Sequence, residues 1–187
     1  MAGMRDTDNF EYIPAKYQIK GRAKQVRLIV VHSTESLEVE GGARAIATYF
    51  QNPPRKGSSH YVVDDREIIQ CVKDSDTAAG AIGANQDGVH IEQCGKAAQT
   101  ALEWGDGYSM QVIDNCTKIT AQLCLKFDIP VVWLTAAEIK AGAKGITSHA
   151  EIQKAYPSTG HTDPGVNYPK NRFLLLVGYY LDKRKAE

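Results

Sequence analysis

The stretch RLIVV at residues 27–31 is followed at once by His32, Ser33 and Thr34. A continuous apolar run that contains β-branched residues is typical of a buried strand in the middle of a sheet. In α/β proteins, the residues just past the end of such a strand are often functional. The stretch therefore predicts a central strand that delivers His32 to a candidate site.

The chain after this strand mixes helical and strand patterns. Up to residue 94 they are a short helix at 43–50, a hairpin made of HYVVD at 60–64 and EIIQCV at 67–72, and a strand, VHIEQC, at 89–94. The small, glycine-rich residues 74–87 are predicted as a loop.

The second half of the chain is predicted to be mainly helical. Its predicted elements are a helix at 108–127, a short helix that starts at a capping box of Thr135 and Glu138 and ends near Gly142, a short helix opened by His149, a long loop at 156–169 and a last helix at 172–181. Basic residues end that last helix, where cations oppose the helix dipole.

Strands and helices in this order predict an α/β fold with a single domain, in which helices flank a mixed central β-sheet of about five or six strands. The first residues are polar and contain Pro14, so residues 1–24 are predicted to be an N-terminal arm and residues 25–187 the domain itself. At 187 residues, a domain of this size buries enough surface to fold without disulfides.

Composition excludes several classes of function. The 22 basic and 22 acidic residues give a formal net charge of zero, which does not favour binding to nucleic acid or to an anionic membrane. The sequence shows neither a signal peptide nor an apolar run long enough to span a membrane. The cysteines form no CxxC pair, and we expect them to be buried free thiols: Cys71, Cys94, Cys116 and Cys124.

Two histidines and one aspartate stand at positions that suit a metal hydrolase. His32 follows the central strand, His149 opens a short helix, and Asp163 lies in the turn sequence HTDPG. Two imidazoles and one carboxylate, with a fourth position left for water, form the ligand set of a catalytic zinc ion. Such an ion lowers the pKa of its water to about 7 and polarises a carbonyl group, as amide hydrolysis requires.

Glu92 is the candidate proton acceptor of that reaction, because it interrupts an apolar strand in which an unpaired charge would be costly. Each of these residues also has an ordinary structural interpretation. Glu92 could pair with a nearby lysine or arginine, His32 and His149 could be hydrogen-bonded side chains, and the sequence around Asp163 forms good turns by itself. Taken singly, the residues predict only a possible metal hydrolase.

Six motifs in one order resemble the type 2 N-acetylmuramoyl-L-alanine amidases. They are VVHST at 30–34, SSHYVVD at 58–64, EIIQCV at 67–72, HIEQ at 90–93, ITSHAEI at 146–152 and HTDPG at 161–165. That family includes phage endolysins, cytosolic muropeptide-recycling amidases and animal peptidoglycan recognition proteins. The resemblance extends from about residue 28 to 173. The sequences of the motifs SHAEI and HTDPG are most similar to those of actinobacterial phage endolysins.

The resemblance implies a role for each matching residue. It implies one Zn²⁺ held by His32, His149 and Asp163, with Glu92 as the general base. His161 stands where many relatives carry a lysine that stabilises the oxyanion, and an imidazole N–H could serve the same purpose. The positions expected to contact substrate are Thr34, Tyr61, Ala79, Gly80 and His90.

His90 is a departure from the family pattern, since a small residue is expected there. It should share a face of its strand with Glu92, because positions i and i+2 point the same way. It could tune Glu92, contact substrate, or simply pack. His60, in the SSHYVVD motif, is expected to be structural.

The function implied is hydrolysis of the amide bond between N-acetylmuramic acid and L-alanine in peptidoglycan, by a phage or prophage lysin domain. We expect such a protein to be made in the cytoplasm without a signal peptide and to reach the wall after holin-type release. The alternatives are a cytosolic muropeptide-recycling amidase, a peptidoglycan-binding module without activity, and a thiol hydrolase that uses Cys94. Peptidoglycan or muropeptides are the expected partners. A monomer is the expected oligomeric state.

Overall fold

The apolar residues at 28–31 lie in a strand inside a six-stranded mixed sheet, as predicted. The computed structural model describes residues 10–186. Its strands are β1 Glu11–Tyr12, β2 Gln18–Ile19, β3 Leu28–Ser33, β4 Tyr61–Val63, β5 Ile68–Gln70, β6 Thr77–Ala78, β7 Gly88–Gln93 and β8 Gly145–Ser148. Its helices are α1 Gly42–Gln51, α2 Gly107–Phe127, α3 Ala136–Lys140, α4 His149–Ala155 and α5 Lys170–Ala186, with a 3-10 turn at Glu103–Gly105. The predicted class, a single α/β domain with a mixed sheet flanked by helices, is confirmed.

The sheet has the strand order β1-β5-β4-β7-β3-β8. Strand β3 pairs in parallel with β7 on one side and β8 on the other, and β4 pairs in parallel with β7. Only β4 and β5 are antiparallel within this sheet, and they form the predicted hairpin. All six residues of β3 are buried, as expected for a strand with parallel neighbours on both sides.

Helices cover both faces of the sheet, and alternate residues of β3 divide between them. Ile29 and Val31 pack in a core that also contains residues of α2 and α5. Leu28 and Val30 face the opposite side, where they pack with residues of α3 and α4. Because side chains alternate along a strand, His32 falls on the second side, the side of α3 and α4.

The long, strongly patterned elements agree with the sequence analysis. Strand β7 and helices α1 and α2 lie within one residue of their predicted bounds, and the capping box of Thr135 and Glu138 is present at the start of α3. Helix α5 is longer than predicted, from Lys170 to Ala186, and its basic residues fill the last turn. All four cysteines are free and buried, as predicted.

Four short strands, β1, β2, β6 and β8, were not predicted. Residues 74–87 are mostly loop, but Thr77–Ala78 forms β6, which pairs with β2 in a separate two-stranded sheet. Strand β8 has only four residues and begins at Gly145, where a Cβ atom would lie 2.7 Å from Leu134 Cγ. Strands this short carry no readable periodicity, so their existence depends on partners that are distant in sequence.

The N-terminal segment contributes to both sheets. Strand β1 adds to the edge of the main sheet beside β5, and β2 supplies the partner of β6. Arg22 donates from Nη1 to the carbonyl oxygen of Gly88, at 3.0 Å. Residues 1–9 of the predicted arm lie outside the described residues, and the boundary near residue 24 stays a prediction.

Phe173 joins the last helix to the core and offers a test of that packing. Its ring is fully buried and lies against Trp133 and Tyr168, with centroid distances of 6.2 and 5.7 Å. Phe173→Ala should lower the free energy of unfolding by about 3–5 kcal/mol, because it removes buried apolar contacts and leaves a cavity. Chemical denaturation monitored by circular dichroism measures this change.

Leu175→Ala is the matched control, since Leu175 is on the same helix and is 75% exposed. Its effect should stay within about 0.5 kcal/mol. An equal loss of free energy of unfolding in both variants would show that a change anywhere on the helix has this effect, and that the burial of Phe173 does not cause it.

Candidate metal centre and active-site cleft

The carboxyl ends of three adjacent parallel strands bring the candidate residues to one edge of the sheet. His32 in β3 stands opposite Glu92 in β7, in register. His149 comes immediately after the last residue of β8 and begins α4. The side chain of Ser148 accepts a hydrogen bond from the backbone N–H of Glu151, so it caps α4 and fixes the place of His149.

Asp163 reaches the same edge from the loop between α4 and α5. Its carbonyl oxygen accepts the backbone N–H of Ala150 at 3.0 Å, which ties the loop to the start of α4. Gly165 has φ +97°, and a Cβ atom there would lie 1.9 Å from the carbonyl oxygen of Ala97. Only glycine allows this approach, so Gly165 holds the loop that carries Asp163 against the body of the domain.

Three side chains converge at this point. The Nδ1 atoms of His32 and His149 are 3.1 Å apart. One carboxylate oxygen of Asp163 lies 3.1 Å from His32 Nδ1, and the other lies 3.2 Å from His149 Nδ1. All three residues are buried, and this is the group of side chains among residues 10–186 that could hold a metal ion.

The electrostatics of the cluster favour a bound cation. Burial would raise the pKa of the Asp163 carboxyl, but hydrogen bonds and charge interactions with His149 and His32 outweigh it and hold this pKa well below its usual range. Burial lowers the pKa of His32, although Asp163 opposes that shift. An ionised carboxylate beside a neutral imidazole is the state in which both groups can bind a metal.

The spacing also suits zinc. Ligand atoms placed tetrahedrally about 2.0–2.2 Å from a zinc ion lie roughly 3.3–3.6 Å from one another. The two Nδ1 atoms are 3.1 Å apart, and each lies 3.1 or 3.2 Å from a different oxygen of Asp163, distances slightly below that range. The donor set and the separations therefore fit a zinc ion with a position left for water or substrate.

Glu92 lies beside the cluster, on the wall of the same cleft. It forms no ion pair within residues 10–186, and its Oε2 atom is buried without a hydrogen-bond partner in that part of the chain. The pairing with lysine or arginine that the sequence left open is thus absent there. Burial, reinforced by the charges of Asp163 and Glu35, raises the pKa of Glu92 to about 8. This carboxyl is therefore suited to exchange a proton near neutral pH.

A cleft of about 280 Å³ opens over these groups. Eight of the ten predicted site residues line it: His32, Thr34, Ala79, Gly80, Glu92, His149, His161 and Asp163. The side chain of His161 is 53% exposed, and its ring stacks on that of His149 with a centroid distance of 4.3 Å. His161 thus stands at the solvent side of the cluster, with one ring nitrogen 3.5 Å from Asp163.

Two predicted substrate contacts do not reach the cleft. Tyr61 is fully buried and donates its hydroxyl to Asp74 at 2.7 Å, on the side of the sheet that faces α2 and α5. His90 is also fully buried and lies behind His32, with its Nδ1 atom 3.0 Å from His32 Nε2. Their burial means that substrate would have to contact other side chains.

Two charged residues that line the cleft, Glu35 and Lys56, were not among the predicted site residues. Glu35 adopts a left-handed backbone conformation, φ 57°, and its carboxylate accepts hydrogen bonds from Ser33 Oγ and the backbone N–H of Ala97. Its position three residues after His32 was the available signal. Lys56 lies far from the other site residues in sequence, so only the fold reveals its place.

Cys94 does not have the environment of a nucleophile. It is buried, and burial raises the pKa of its thiol to about 12. A thiol with that pKa carries almost no thiolate near neutral pH, and the thiolate is the reactive form. The thiol-hydrolase alternative therefore has no support in the site.

Fold and site together define an α/β protein with a candidate catalytic metal centre at the carboxyl edge of its parallel strands. The family model described as N-acetylmuramoyl-L-alanine amidase matches residues 22–166, which is most of the chain. The chain therefore belongs to the N-acetylmuramoyl-L-alanine amidase family, and the enzyme class and the resemblance seen in the motifs are confirmed. No match is found among curated proteins.

Solved structures share the fold over nearly the whole chain. The hydrolase AmiA of Staphylococcus aureus, in complex with its ligand, is similar with a TM-score of 0.68 and 16% identity, over 96% of this chain and 87% of that one. A mutant endolysin from Bacillus subtilis gives 0.62 and 21%, over 92% and 100%. The N-acetylmuramoyl-L-alanine amidase LysC from Clostridium intestinale gives 0.60 and 12%, over 92% and 99%. At these identities the likeness establishes the fold.

The raised pKa of Glu92 predicts a pH-dependent cost to stability in the metal-free protein. A carboxyl whose pKa is about 8 when folded and near 4.5 when unfolded binds more protons in the folded state, so stability falls as pH rises between these values. Glu92→Gln cannot ionise and should be more stable than wild type at pH 9, by roughly 2–4 kcal/mol. Urea unfolding with a chelator present measures the difference.

The same comparison at pH 4 is the control. Both side chains are neutral there, so the two proteins should unfold at nearly equal urea concentrations. A stabilisation of equal size at both pH values would mean that ionisation of Glu92 is not its cause.

Proposed function

We propose that this chain is a zinc-dependent amidase that hydrolyses the bond between N-acetylmuramic acid and L-alanine in peptidoglycan. The observation that carries the proposal is the buried convergence of His32, His149 and Asp163, beside a carboxyl group, Glu92, that has no ion pair in the described chain. Membership of the amidase family supplies the bond that is cut.

In this proposal one zinc ion is held by His32 Nδ1, His149 Nδ1 and the carboxylate of Asp163. The separations of these atoms and their burial support the assignment. When bound, zinc supplies a Lewis acid that activates water and polarises the amide carbonyl. The protein contributes the ionised Asp163 and the closed, buried side of the site.

Glu92 is proposed as the general base that takes a proton from the attacking water and passes it to the leaving nitrogen. Its raised pKa and its position on the wall of the cleft support this role. His161 is proposed to donate a ring N–H to the oxygen on which negative charge develops. Its exposed ring at the rim of the cleft leaves it free to meet substrate.

Thr34, Ala79 and Gly80 are proposed substrate contacts, because they line the cleft around the metal position. Peptidoglycan or a muropeptide derived from it is the proposed substrate.

The proposed biological role is that of a phage or prophage lysin, which acts on the wall after holin-type release. The sequences of the motifs SHAEI and HTDPG support this role. A cytosolic muropeptide-recycling amidase is the alternative. No described helix is long and apolar enough to cross a membrane.

Turnover and metal content, measured on the same preparations, test the proposal. Wild type should hold about one zinc per chain and release peptides with new L-alanine amino termini from purified muropeptides. Glu92→Ala should keep its zinc and lose about 10²–10⁴-fold in turnover, because it lacks the proton acceptor. Asp163→Ala should lose both, since it lacks a ligand. Mass spectrometry of products and elemental analysis give the two readouts.

The outcomes separate the competing functions. A wild type that binds muropeptides with zinc in place, yet never cuts them, would establish the binding-module alternative. Comparable turnover of intact walls and free muropeptides supports a lysin, whereas activity confined to free muropeptides supports recycling.

A chelator distinguishes zinc catalysis from thiol catalysis. Removal of metal should abolish turnover, and stoichiometric zinc should restore it, whereas Cys94→Ala should retain activity because that thiol is buried outside the cleft. Full activity after verified removal of the metal, together with loss of activity in Cys94→Ala, would reverse the assignment.

A further inference from the structure

Three buried histidines lie one behind another beneath the cleft. His60 Nδ1 accepts the backbone N–H of His90 at 3.0 Å, and the two rings stack with centroids 5.7 Å apart and planes 17° apart. His90 Nδ1 in turn lies 3.0 Å from Nε2 of His32. Of these three side chains, that of His32 lines the cleft, and those of His60 and His90 do not. Any effect of His60 or His90 on the site must therefore pass through His32.

The space around His90 is shaped for its ring by two glycines. A Cβ atom at Gly80 would lie 2.5 Å from His90 Cγ, and one at Gly88 would lie 3.3 Å from His90 Nε2. Gly80 must therefore stay without a side chain for the imidazole to occupy this position. The ring is seated between the loop that lines the cleft and the start of its own strand.

The two nitrogens of the His90 ring differ in their contacts within the described part of the chain. Nε2 of His90 is buried and has no hydrogen-bond partner within residues 10–186, whereas Nδ1 faces His32. A buried polar atom without a partner costs about 1–3 kcal/mol, so an apolar side chain would fill this space at lower cost. Among residues 10–186, the contact with His32 is the polar interaction that explains an imidazole here.

The proposed function determines the direction of that hydrogen bond. His32 Nδ1 is the atom that faces His149 and Asp163, and it must be unprotonated to bind a metal. A neutral His32 then carries its proton on Nε2, which can only donate. His90 Nδ1 is placed to accept it. Metal-binding histidines commonly donate their second N–H in this way, which fixes the orientation of the ring.

We propose that His90 is a positioning residue of the metal centre: by accepting the Nε2–H of His32, it holds His32 with Nδ1 directed at the metal. This inference rests on the proposed function, because it requires His32 to be a ligand. Glu92 lies on the same face of the strand, two residues after His90, and it lines the cleft. The two residues therefore have different roles. Glu92 faces the reaction, and His90 supports a ligand from behind.

Zinc affinity measured by competition with a chromophoric chelator tests the proposal without any substrate. His90→Leu removes the acceptor and should weaken zinc binding about 10–100-fold. His90→Asn can place its side-chain oxygen near the position of Nδ1 and should stay within about threefold of wild type. Val89→Ala is the control, because Val89 is buried on the opposite face of the same strand and should bind zinc as wild type does.

The outcomes distinguish failure of the proposed function from failure of the positioning role. A wild type that binds no zinc would contradict the proposed function itself. If wild type binds zinc and His90→Leu, still folded, binds it equally well, the positioning role alone is overturned. Affinities lost equally in His90→Asn and His90→Leu would assign the effect to ring packing and likewise overturn the acceptor role.

Nitrogen NMR of the imidazoles gives a second readout on wild type, which does not depend on whether a variant folds. In the zinc-bound protein, the His32 proton should reside on Nε2 and show scalar coupling through the hydrogen bond to an unprotonated His90 Nδ1. A proton on His90 Nδ1 would overturn the proposal, because His90 would then be a donor to His32.

Discussion

The parallel pairing of β3 with β7 and β8 is the constraint on which the site depends. Parallel strands bring their carboxyl ends to one edge of the sheet. The register places His32 opposite Glu92, and His149 follows the end of β8 directly. A slip of one residue in β3 would turn His32 to the other face of the sheet. Because Leu28 to Val31 are fully buried on alternating sides, such a slip would also disrupt two cores.

Burial raises the pKa of both carboxyl groups of the site, and their different neighbours separate the two pKa values. Asp163 meets two imidazoles, which hold its pKa well below its usual range. Glu92 meets no cation in the described chain, and burial raises its pKa to about 8. Carboxyl groups whose environments move their pKa values apart can take different roles. Asp163 thus has the properties of a permanent anionic ligand, and Glu92 those of a group that exchanges protons.

The long elements could be predicted because they carry their information locally. The apolar run of β3, the pattern of α2 and the capping box of α3 each depend on residues close in sequence. The short strands could not be predicted, because they depend on partners that are distant in sequence. Strand β6 exists because β2, almost 60 residues earlier, supplies its partner, and β8 exists because β3 accepts it at the edge of the sheet.

The sequence by itself determined the fold class and which side chains could take part in the chemistry, since residue identity decides what can ligate a metal or move a proton. Tertiary structure alone decided where each of them lies. It brought His32, His149 and Asp163 within hydrogen-bond distance across 131 residues of chain. It also placed Tyr61 in the core and His90 behind His32, and it brought Glu35 and Lys56 to the cleft. The physical reason is that alternation along a strand tells which residues share a face, whereas depth and neighbours depend on what packs against that face.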